Sequence, residues 1–434
     1  MNLLSNTAAF IFALGVIIFF HEFGHLLAAK AFNMRVLTFS LGFGKRLFGF
    51  QRGETDYRVA LFPLGGYVQL GGEDPTEVSD DPREFSNKPR WQRIVVYLAG
   101  PTMNAVLSVL LMAVVFMMGM ELAALREVPP VVGMVTEGSP AEAAGLVPGD
   151  RIRSVDGKTV SRWDDVNFAL LTSPGREVQL TLERAGRSVE ATVVPDVVPR
   201  YEFGDAGVFP QLLPRIAQVM EESPAAAAGF SPGDEVRSVN GRSVSSSRDF
   251  IEQIEARAEQ PATVEVMRDG RLETLTVTPR SEDGVGKIGV VIGYYQRYGP
   301  VDALGASVRY NIDIVRQTFA ALSKIVSGRL AAKSALSGPI EIAALSGAAA
   351  RSGFKVLLHL MGIISISIGI LNLLPIPILD GGQITILAFE SVRRRDLSVK
   401  VKQRIQNVGF ALVVLLMVVV LYFDLVKNIP LPGR

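Results

Sequence analysis

The chain alternates between long apolar runs and polar segments, and four of the apolar runs are long enough to cross a membrane as helices. They extend from Leu4 to Ala29, from Ile94 to Met120, from Val356 to Phe389 with prolines at the centre, and from Asn407 to Phe423. A membrane-spanning helix needs about 20 predominantly apolar residues. The pattern predicts a polytopic α-helical membrane protein with four transmembrane helices, two in residues 1–120 and two in residues 354–434.

Basic residues near the ends of these runs predict which loops face the cytoplasm. They crowd the first and third loops, at Lys30, Arg35, Lys45, Arg46, Lys88, Arg90 and Arg93 and at Arg393, Arg394, Arg395, Lys400, Lys402 and Arg404. Cytoplasmic loops carry the excess of Lys and Arg. The N-terminus, segment 121–355 and the C-terminus are therefore expected on the other side, the periplasm for a bacterial inner membrane. No basic residue precedes His21, so we expect a retained helix rather than a signal peptide.

Two segments of the first loop have the composition of β-strands. Residues 36–50 and 55–70 are rich in β-branched and aromatic residues with glycines at intervals, as in SLGFG at 40–44 and LGGY at 64–67. This pattern predicts short hairpins associated with the membrane. Such a hairpin can dip into the bilayer only where protein or water satisfies its backbone, and an ordinary surface hairpin is the alternative.

The segment between the second and third runs contains an internal repeat. Ser-Pro-Ala at 139–141, Ala-Ala-Gly at 143–145, Pro-Gly-Asp at 148–150 and Arg-Ser-Val at 153–155 all recur 84 residues later. Each copy predicts a strand, a short helix after Ser-Pro, and a hairpin at Asp-Gly or Asn-Gly. The pattern resembles two inserted α/β PDZ domains of the bacterial protease type, at 128–197 and 212–282. PDZ domains bind peptides by adding a strand to a sheet edge, with the loops leading into that edge expected near 130–133 and 213–216.

A helical periodicity follows the second copy, in residues 300–330. Apolar residues recur there at spacings of three and four, at Leu304, Val308, Ile312, Val315, Phe319, Leu322 and Val326. Charged residues lie off this face, which predicts an amphipathic helix on the outer membrane surface. The alternative is that the apolar face packs against the repeated domains.

Composition agrees with a membrane protein and narrows its chemistry. Hydrophobic residues make up 48% of the 434 residues, and the mean hydropathy is +0.30. A net charge of +1 gives no reason to expect a nucleic-acid partner, because phosphate binding depends on a dense basic surface. The chain has no cysteine, so histidine and carboxylate are the side chains left to bind a transition metal.

Two of the three histidines lie in the first apolar run, within His21-Glu22-Phe23-Gly24-His25. Residues four apart project from one face of a helix, so His21 and His25 can bind one metal ion while Glu22 polarises a water molecule. An ionisable group inside a membrane span is costly and indicates function. The motif therefore predicts a metal site within the first span.

A catalytic zinc ion takes three protein ligands and leaves a fourth position for water, and the third ligand must share the depth of His21. His359 lies near the start of the third run, and Asp380 lies 21 residues later, about 30 Å away along a helix. Because His21 and the end of the third run both lie toward the cytoplasm, Asp380 is the predicted ligand. His359 is then an interfacial or packing histidine.

The sequence around Asp380 predicts a broken helix. Residues 372–382 are Asn-Leu-Leu-Pro-Ile-Pro-Ile-Leu-Asp-Gly-Gly, and prolines and glycines interrupt helical hydrogen bonding. Irregular backbone at membrane depth is tolerated only where it lines a cavity or is buried in protein. The break therefore favours a functional site over the alternative, a proline kink in a packing helix.

Together, His-Glu-x-x-His in the first run and Asn-x-x-Pro-x-Pro-x-Leu-Asp-Gly in a later one resemble the site-2 protease family of intramembrane zinc metalloproteases. The resemblance covers nearly the whole chain and includes Gly-Pro-Thr-Met-Asn at 100–104. It implies zinc ligands His21, His25 and Asp380, a general base Glu22, and substrate-handling residues Asn372, Pro375 and Pro377. Gln383 stands where many relatives have histidine.

The resemblance also implies a substrate and partners. It suggests the second cut in regulated intramembrane proteolysis, within the span of a single-span protein such as an anti-sigma factor, and clearance of signal-peptide remnants. The PDZ domains would bind peptide C-termini or periplasmic regulators, or exclude bulky substrates, and the lipid bilayer surrounds the active site. A membrane scaffold with a vestigial metal site is the rival, and a transporter with broken helices is a third class.

Overall fold

The computed structural model describes residues 2–73, 80–119, 128–198, 203–282, 284–293, 297–331 and 338–428. Met120, the predicted end of the second span, lies outside these ranges. The chain divides into two compact units. The membrane unit comprises Met1–Val115, Gly299–Ala320 and Ala335–Arg434, and the repeat unit comprises Phe116–Tyr298 and Ala321–Ser334.

The helices of the described residues alternate with groups of strands. The helices are α1 (Asn2–Ala31), α2 (Arg90–Met118), α3 (Pro140–Ala143), α4 (Trp163–Leu171), α5 (Pro224–Ala227), α6 (Ser247–Glu255), α7 (Pro300–Val326), α8 (Pro339–Ser352), α9 (Phe354–Asn372), α10 (Asp380–Arg393) and α11 (Val399–Asn428). The strands are β1 (Val36–Arg52), β2 (Thr55–Leu70), β3 (Val132–Val135), β4 (Arg151–Val155), β5 (Lys158–Thr159), β6 (Val178–Arg184), β7 (Arg187–Val193), β8 (Asp196–Val197), β9 (Gly204–Asp205), β10 (Val208–Pro210), β11 (Ile216–Val219), β12 (Glu235–Val239), β13 (Arg242–Ser243), β14 (Ala262–Arg268), β15 (Arg271–Val277), β16 (Arg280–Glu282), β17 (Val285–Lys287) and β18 (Val290–Ile292).

Four of the described helices, α1, α2, α9 and α11, are long and apolar enough to cross a membrane. Their number agrees with the four predicted spans. The predicted third span is divided, because α9 ends at Asn372 and α10 begins at Asp380. Glycines make the intervening turn compact. A Cβ on Gly381 would lie 2.2 Å from the Leu373 carbonyl oxygen, and one on Gly382 would lie 2.1 Å from that of Ile376.

The first loop folds into one small curled sheet rather than the separate short hairpins predicted. β1 and β2 are 17 and 16 residues long and pair with each other antiparallel. Ser40 pairs with Tyr67 on one side and with Arg58 on the other, so the first half of β1 is the middle of the sheet. The second half of β2, from Gly66 to Leu70, pairs with β1 on one side only and forms an edge.

In the membrane unit, α7 buries polar residues and exposes apolar ones, which is the reverse of a helix packed in a water-soluble protein. Its buried residues in the membrane unit include Ser307, Tyr310 and Asn311, whereas the predicted apolar positions Leu304 and Val308 are 47% and 42% exposed. Helices in lipid turn apolar side chains outward and bury polar ones where partners satisfy them. The apolar face is therefore not the packing face of this part of α7.

α8 is a helix that the sequence analysis did not predict. Its first amides are capped by a carboxylate of the last helix, since Ile340 N and Glu341 N donate to Asp424 at 2.7 and 3.0 Å. At its other end Arg351 donates to Asn6 Oδ1 of α1 at 2.6 Å. Asp424 is buried, so α8 is held by polar contacts with both the first and the last helix.

The repeat unit contains two copies of the same small fold. The four-stranded sheets have the equivalent orders β5-β4-β6-β7 and β13-β12-β14-β15. The short helices begin as predicted, with Ser139 and Ser223 each accepting a hydrogen bond from the amide three residues on. The hairpin turns at Asp156 and Asn240 have positive φ at both central residues, as type I′ turns require.

The same ion pair occurs in both copies. Arg184 donates to both carboxylate oxygens of Asp150 at 2.7 Å, and 84 residues later Arg268 does the same to Asp234. Burial raises the pKa of Asp150, but the Arg184 guanidinium and the Val147 amide outweigh it and hold that pKa below its usual value.

Two strands outside the predicted limits 128–197 and 212–282 pair with strands inside them. β10 pairs with β3, and β18 pairs with β11, each as a separate two-stranded sheet. The segment at 130–133 is hydrogen-bonded to two neighbouring segments, since Val132 N donates to Asp150 O and Gln211 N donates to Val131 O. Among the described strands β3, β10, β11 and β18 each pair with one neighbour only, so the predicted peptide-binding edges near 130–133 and 213–216 stay predictions.

Candidate metal centre

Two histidines and one carboxylate converge inside the membrane unit. His21 Nε2 lies 3.3 Å from Asp380 Oδ2, His25 Nε2 lies 3.6 Å from Asp380 Oδ1, and the two Nε2 atoms are 3.3 Å apart. Both histidines are buried. Among the described residues this is the group of three metal-ligating side chains that meets within 4.8 Å.

The spacing of these atoms fits a zinc ion. Ligand nitrogen and oxygen atoms lie at about 2.0–2.2 Å from zinc, so two ligands of a tetrahedral site are roughly 3.3 Å apart. The three separations match this value without rearrangement. Two imidazoles and one carboxylate are also a donor set of catalytic zinc, with the fourth position left for water. The residues present fit the metal.

α1 and α2 approach closely at this point because two glycines remove side chains from the contact. A Cβ on Gly24 would lie 2.4 Å from the Ala99 carbonyl oxygen. A Cβ on Gly100 would lie 2.3 Å from His25 Nε2 and would displace the imidazole. The α2 backbone therefore forms one wall of the centre.

Hydrogen bonds from α2 and α9 surround the imidazoles. His25 Nδ1 lies 2.8 Å from the Val96 carbonyl oxygen, and His21 Nδ1 lies 3.2 Å from the Asn104 side-chain amide. Asn372 Nδ2, at the end of α9, lies 3.3 Å from His21 Nε2. Asp380 opens α10, where the helix dipole stabilises a negative charge. The centre thus draws on α1, α2, α9 and α10.

The edge of the curled sheet reaches the carboxylate of Glu22. A Cβ on Gly66 would lie 2.9 Å from Glu22 Cγ, and the backbone amide of Val68 hydrogen-bonds the Glu22 carboxylate. Gly66 and Val68 both belong to the one-sided part of β2. The candidate base and an extended edge strand are therefore direct neighbours.

The remaining residues named from the sequence lie at different distances from this centre. Pro375 and Pro377 lie in the turn between α9 and α10, and Pro377 packs against Gly409 of α11. His359 lies apart from the three ligating residues, with its Nε2 2.7 Å from the Tyr310 hydroxyl. The turn therefore places Pro377 against α11.

Sequence reasoning missed the parts that α2 contributes. Gly100 and Asn104 appeared there only as members of a motif, and Gly24 only as a spacer between the histidines. Their spacing is a signal in hindsight, because residues four apart share one face of a helix. Nothing in the sequence says that this face meets His21 and His25, since that contact joins residues some 80 positions apart.

Comparison with known proteins agrees with this chemistry. The model of Peptidase family M50 matches residues 9–416. "Regulator of sigma-E protease RseP" of Salmonella typhimurium is 32% identical over 452 residues, covering 98% of this chain and 99% of that protein. "Protease RseP" of Yersinia pestis is 33% identical with the same coverage. A Vibrio cholerae protein named "Putative zinc metalloprotease" is 30% identical, covering 98% of this chain and 99% of its own length.

A solved structure that is similar to this chain matches a short part of it. The PDZ domain of the SdrC-like protein of Listeria monocytogenes is 20% identical and covers 18% of this chain and 85% of its own, with a TM-score of 0.17. The full-length relatives and the family match are therefore the informative comparisons. By them the chain belongs to Peptidase family M50 and is a zinc-dependent membrane metalloprotease.

Proposed function

We propose that this protein cleaves the transmembrane segment of single-span membrane proteins, with His21, His25 and Asp380 as zinc ligands. The observation that carries the proposal is the convergence of three ligand atoms at zinc spacing, two of them from α1, a helix apolar enough to span a bilayer. Buried ionisable groups at that depth are expensive unless they serve function. The scaffold and transporter alternatives are set aside because the family is one of peptidases.

Glu22 serves as the general base. When bound, zinc supplies a Lewis acid that polarises the peptide carbonyl and lowers the pKa of water toward neutrality. Glu22, next to His21 on α1, takes the proton from the attacking water and passes it to the leaving amine. Asn372 Nδ2, which points into the same space, donates to the substrate main chain.

The edge of the curled sheet holds the substrate in extended form. A helical substrate hides its carbonyl groups in internal hydrogen bonds, so it must unwind before it is cut. The one-sided stretch Gly66–Leu70 lies against Glu22 and offers backbone groups for strand addition. Pro375 and Pro377 keep the nearby turn from closing into helix.

The substrate is proposed from the relatives and the charge pattern. Relatives from Salmonella typhimurium and Escherichia coli are named regulators of sigma-E, which supports a second cut in an anti-sigma factor and, by the same chemistry, removal of signal-peptide remnants. In this proposal the protein lies in a bacterial inner membrane, and the basic residues of the first and third loops support an orientation with the metal centre toward the cytoplasm and the repeat unit in the periplasm.

Cleavage of a tagged single-span protein in proteoliposomes tests the proposal. Glu22→Gln keeps the shape of the side chain but removes the base, so we expect cleavage to fall about 100- to 10,000-fold with zinc still bound. His359→Gln is the matched control, because His359 bonds Tyr310 outside the metal centre, and it should cleave at nearly the normal rate. Cleavage by Glu22→Gln at the normal rate would refute the mechanism.

The repeat unit selects substrates in this proposal, and two modes are open. As a receptor it would bind a new C-terminus or a periplasmic regulator at the predicted edges near 130–133 and 213–216. As a filter it would exclude substrates whose outer domain is intact. Deletion of residues 129–279 separates the modes: a filter predicts early cleavage of intact substrate, and a required receptor predicts no cleavage at all.

A further inference from the structure

Asn104 is a fully buried amide of α2 that touches a proposed zinc ligand. Its Nδ2 lies 3.2 Å from His21 Nδ1. Its other polar atom, Oδ1, is buried and has no hydrogen-bond partner among the described residues. A buried carbonyl oxygen without a donor costs free energy and calls for an explanation.

If His21 is a zinc ligand, its coordination determines which atom of the Asn104 amide must face His21 Nδ1. The Nε2 atoms of both histidines face each other and Asp380, so these nitrogens carry the lone pairs toward the metal. A neutral imidazole that binds through Nε2 carries its proton on Nδ1. His25 follows this rule, because its Nδ1 faces the Val96 carbonyl oxygen at 2.8 Å. His21 Nδ1 needs an acceptor in the same way.

A half-turn of the Asn104 amide supplies that acceptor. The two orientations of an amide have nearly the same shape and differ only in which atom meets the neighbour. With Oδ1 toward His21, the N–H of Nδ1 gains its acceptor and the buried oxygen gains its donor. With Nδ2 toward His21, two donors would face each other.

We propose that Asn104 is a positioning residue that accepts a hydrogen bond from His21 Nδ1–H and thereby fixes the tautomer and ring orientation of this zinc ligand. The inference rests on the proposed function, which makes His21 a ligand. α9 holds the backbone of Asn104 in place, since Ser365 Oγ donates to the main-chain carbonyl oxygen of Asn104 at 2.9 Å. Gly369 of α9 permits the close approach, as its absent Cβ would lie 3.3 Å from Asn104 Cβ.

Zinc affinity of the full-length protein in detergent, measured by chelator competition, tests the proposal without an activity assay. Asn104→Leu keeps the branching and the number of side-chain heavy atoms and removes the acceptor, so we expect zinc binding to weaken about 10- to 100-fold. Asn104→Asp keeps an acceptor and should bind zinc within about threefold of wild type. Ser108→Ala is the matched control, because Ser108 is equally buried one turn along α2 and bonds Asn311 and Gly362 rather than a ligand.

The outcomes separate this inference from the proposed function. Wild-type affinity in Asn104→Leu, or equal loss in Ser108→Ala, overturns the positioning role. Asp380→Asn must lose zinc if the ligand set is right; if it retains zinc, the proposed function fails and this inference falls with it. Should Asn104→Leu not fold, Asn104→Ala removes the acceptor with a smaller side chain and should show the same loss of zinc affinity; wild-type zinc affinity in that variant overturns the proposal.

Discussion

The membrane unit and the repeat unit differ in which side chains they expose and which they bury. In the membrane unit Asn104, Ser108 and Ser365 are completely buried, while leucines and valines of α11 are widely exposed. In the repeat unit, clusters of valine, leucine and isoleucine such as Leu180 and Val264 form two apolar cores. The difference follows from the solvent, since lipid accepts apolar surface that water rejects. The membrane unit can therefore expose apolar side chains and keep the polar groups of the metal centre buried.

Removal of the metal should show the largest difference between the two units, because the predicted zinc ligands all lie in the membrane unit. Treatment with 1,10-phenanthroline should reduce cleavage about a thousandfold or more, since the metal supplies several kcal/mol of transition-state stabilisation. The repeat unit has no part in the centre, and its Trp163, buried in the first core, should keep its fluorescence. Restoration by added zinc is the control, and loss of the Trp163 signal on chelation would contradict independent folding of the two units.

Truncation of an apolar core residue should have the next largest effect. Leu180→Ala removes a completely buried side chain of β6, which costs about 3 kcal/mol. Unfolding can be followed by Trp163 fluorescence in a full-length protein that carries Trp91→Phe, because the chain has two tryptophans. Cleavage of a short, already trimmed substrate should persist below the new midpoint temperature. A decrease in the free energy of unfolding of less than about 0.5 kcal/mol would show that this core is not closely packed.

A smaller effect is expected from the repeated ion pair, and it depends on pH. Asp150→Asn removes the charge that Arg184 binds and should lower the midpoint temperature at pH 7 by about 5 °C. The pKa of Asp150 is lowered on folding. Its contribution is therefore present above the unfolded pKa of about 3.9 and is lost as the pH falls through the folded value. The difference in midpoint temperature between Asp150→Asn and wild type should therefore disappear at acidic pH.

The second copy provides the control for that experiment. Asp234→Asn breaks the equivalent pair with Arg268, but Trp163 lies in the first copy. The Asp234→Asn variant should therefore leave the midpoint temperature measured by Trp163 fluorescence unchanged. A difference that widens as the pH falls would contradict the assigned sign.

The smallest effect is expected for an apolar side chain that the membrane unit exposes. Lipid accepts such a side chain whether it is large or small. Leu416 of α11 is 46% exposed, and Leu416→Ala should change the stability of the protein in lipid nanodiscs by less than about 0.5 kcal/mol. Thermal denaturation monitored by protease resistance measures this. Ile17→Ala is the comparison, since Ile17 of α1 is completely buried; equal losses for the two variants would contradict the outward orientation.

The sequence predicted the spans well because hydropathy is a local property. The choice of Asp380 over His359 came from depth along the third run, and the structure brings Asp380 to 3.3 Å from His21 while His359 bonds Tyr310. The ligand roles themselves stay predictions until zinc is measured.

What could not be predicted depends on contacts between distant residues. α8 is short and rich in alanine, and its polar partners Asp424 and Asn6 lie far from it in the chain. The curled sheet depends on the register between β1 and β2, which is weakly specified in strands that contain several glycines. The apolar stripe of α7 was detected correctly, but periodicity alone does not say whether it faces protein or lipid.

The carboxylate of Asp424 also constrains how the protein is made. It lies in the last helix and caps α8, which is about 80 residues earlier in the chain. The amides at the start of α8 therefore gain this acceptor only after Asp424 has been synthesised. This corner of the membrane unit is completed later than the contacts among α1, α2 and α9, whose residues all precede Asp424 in the chain.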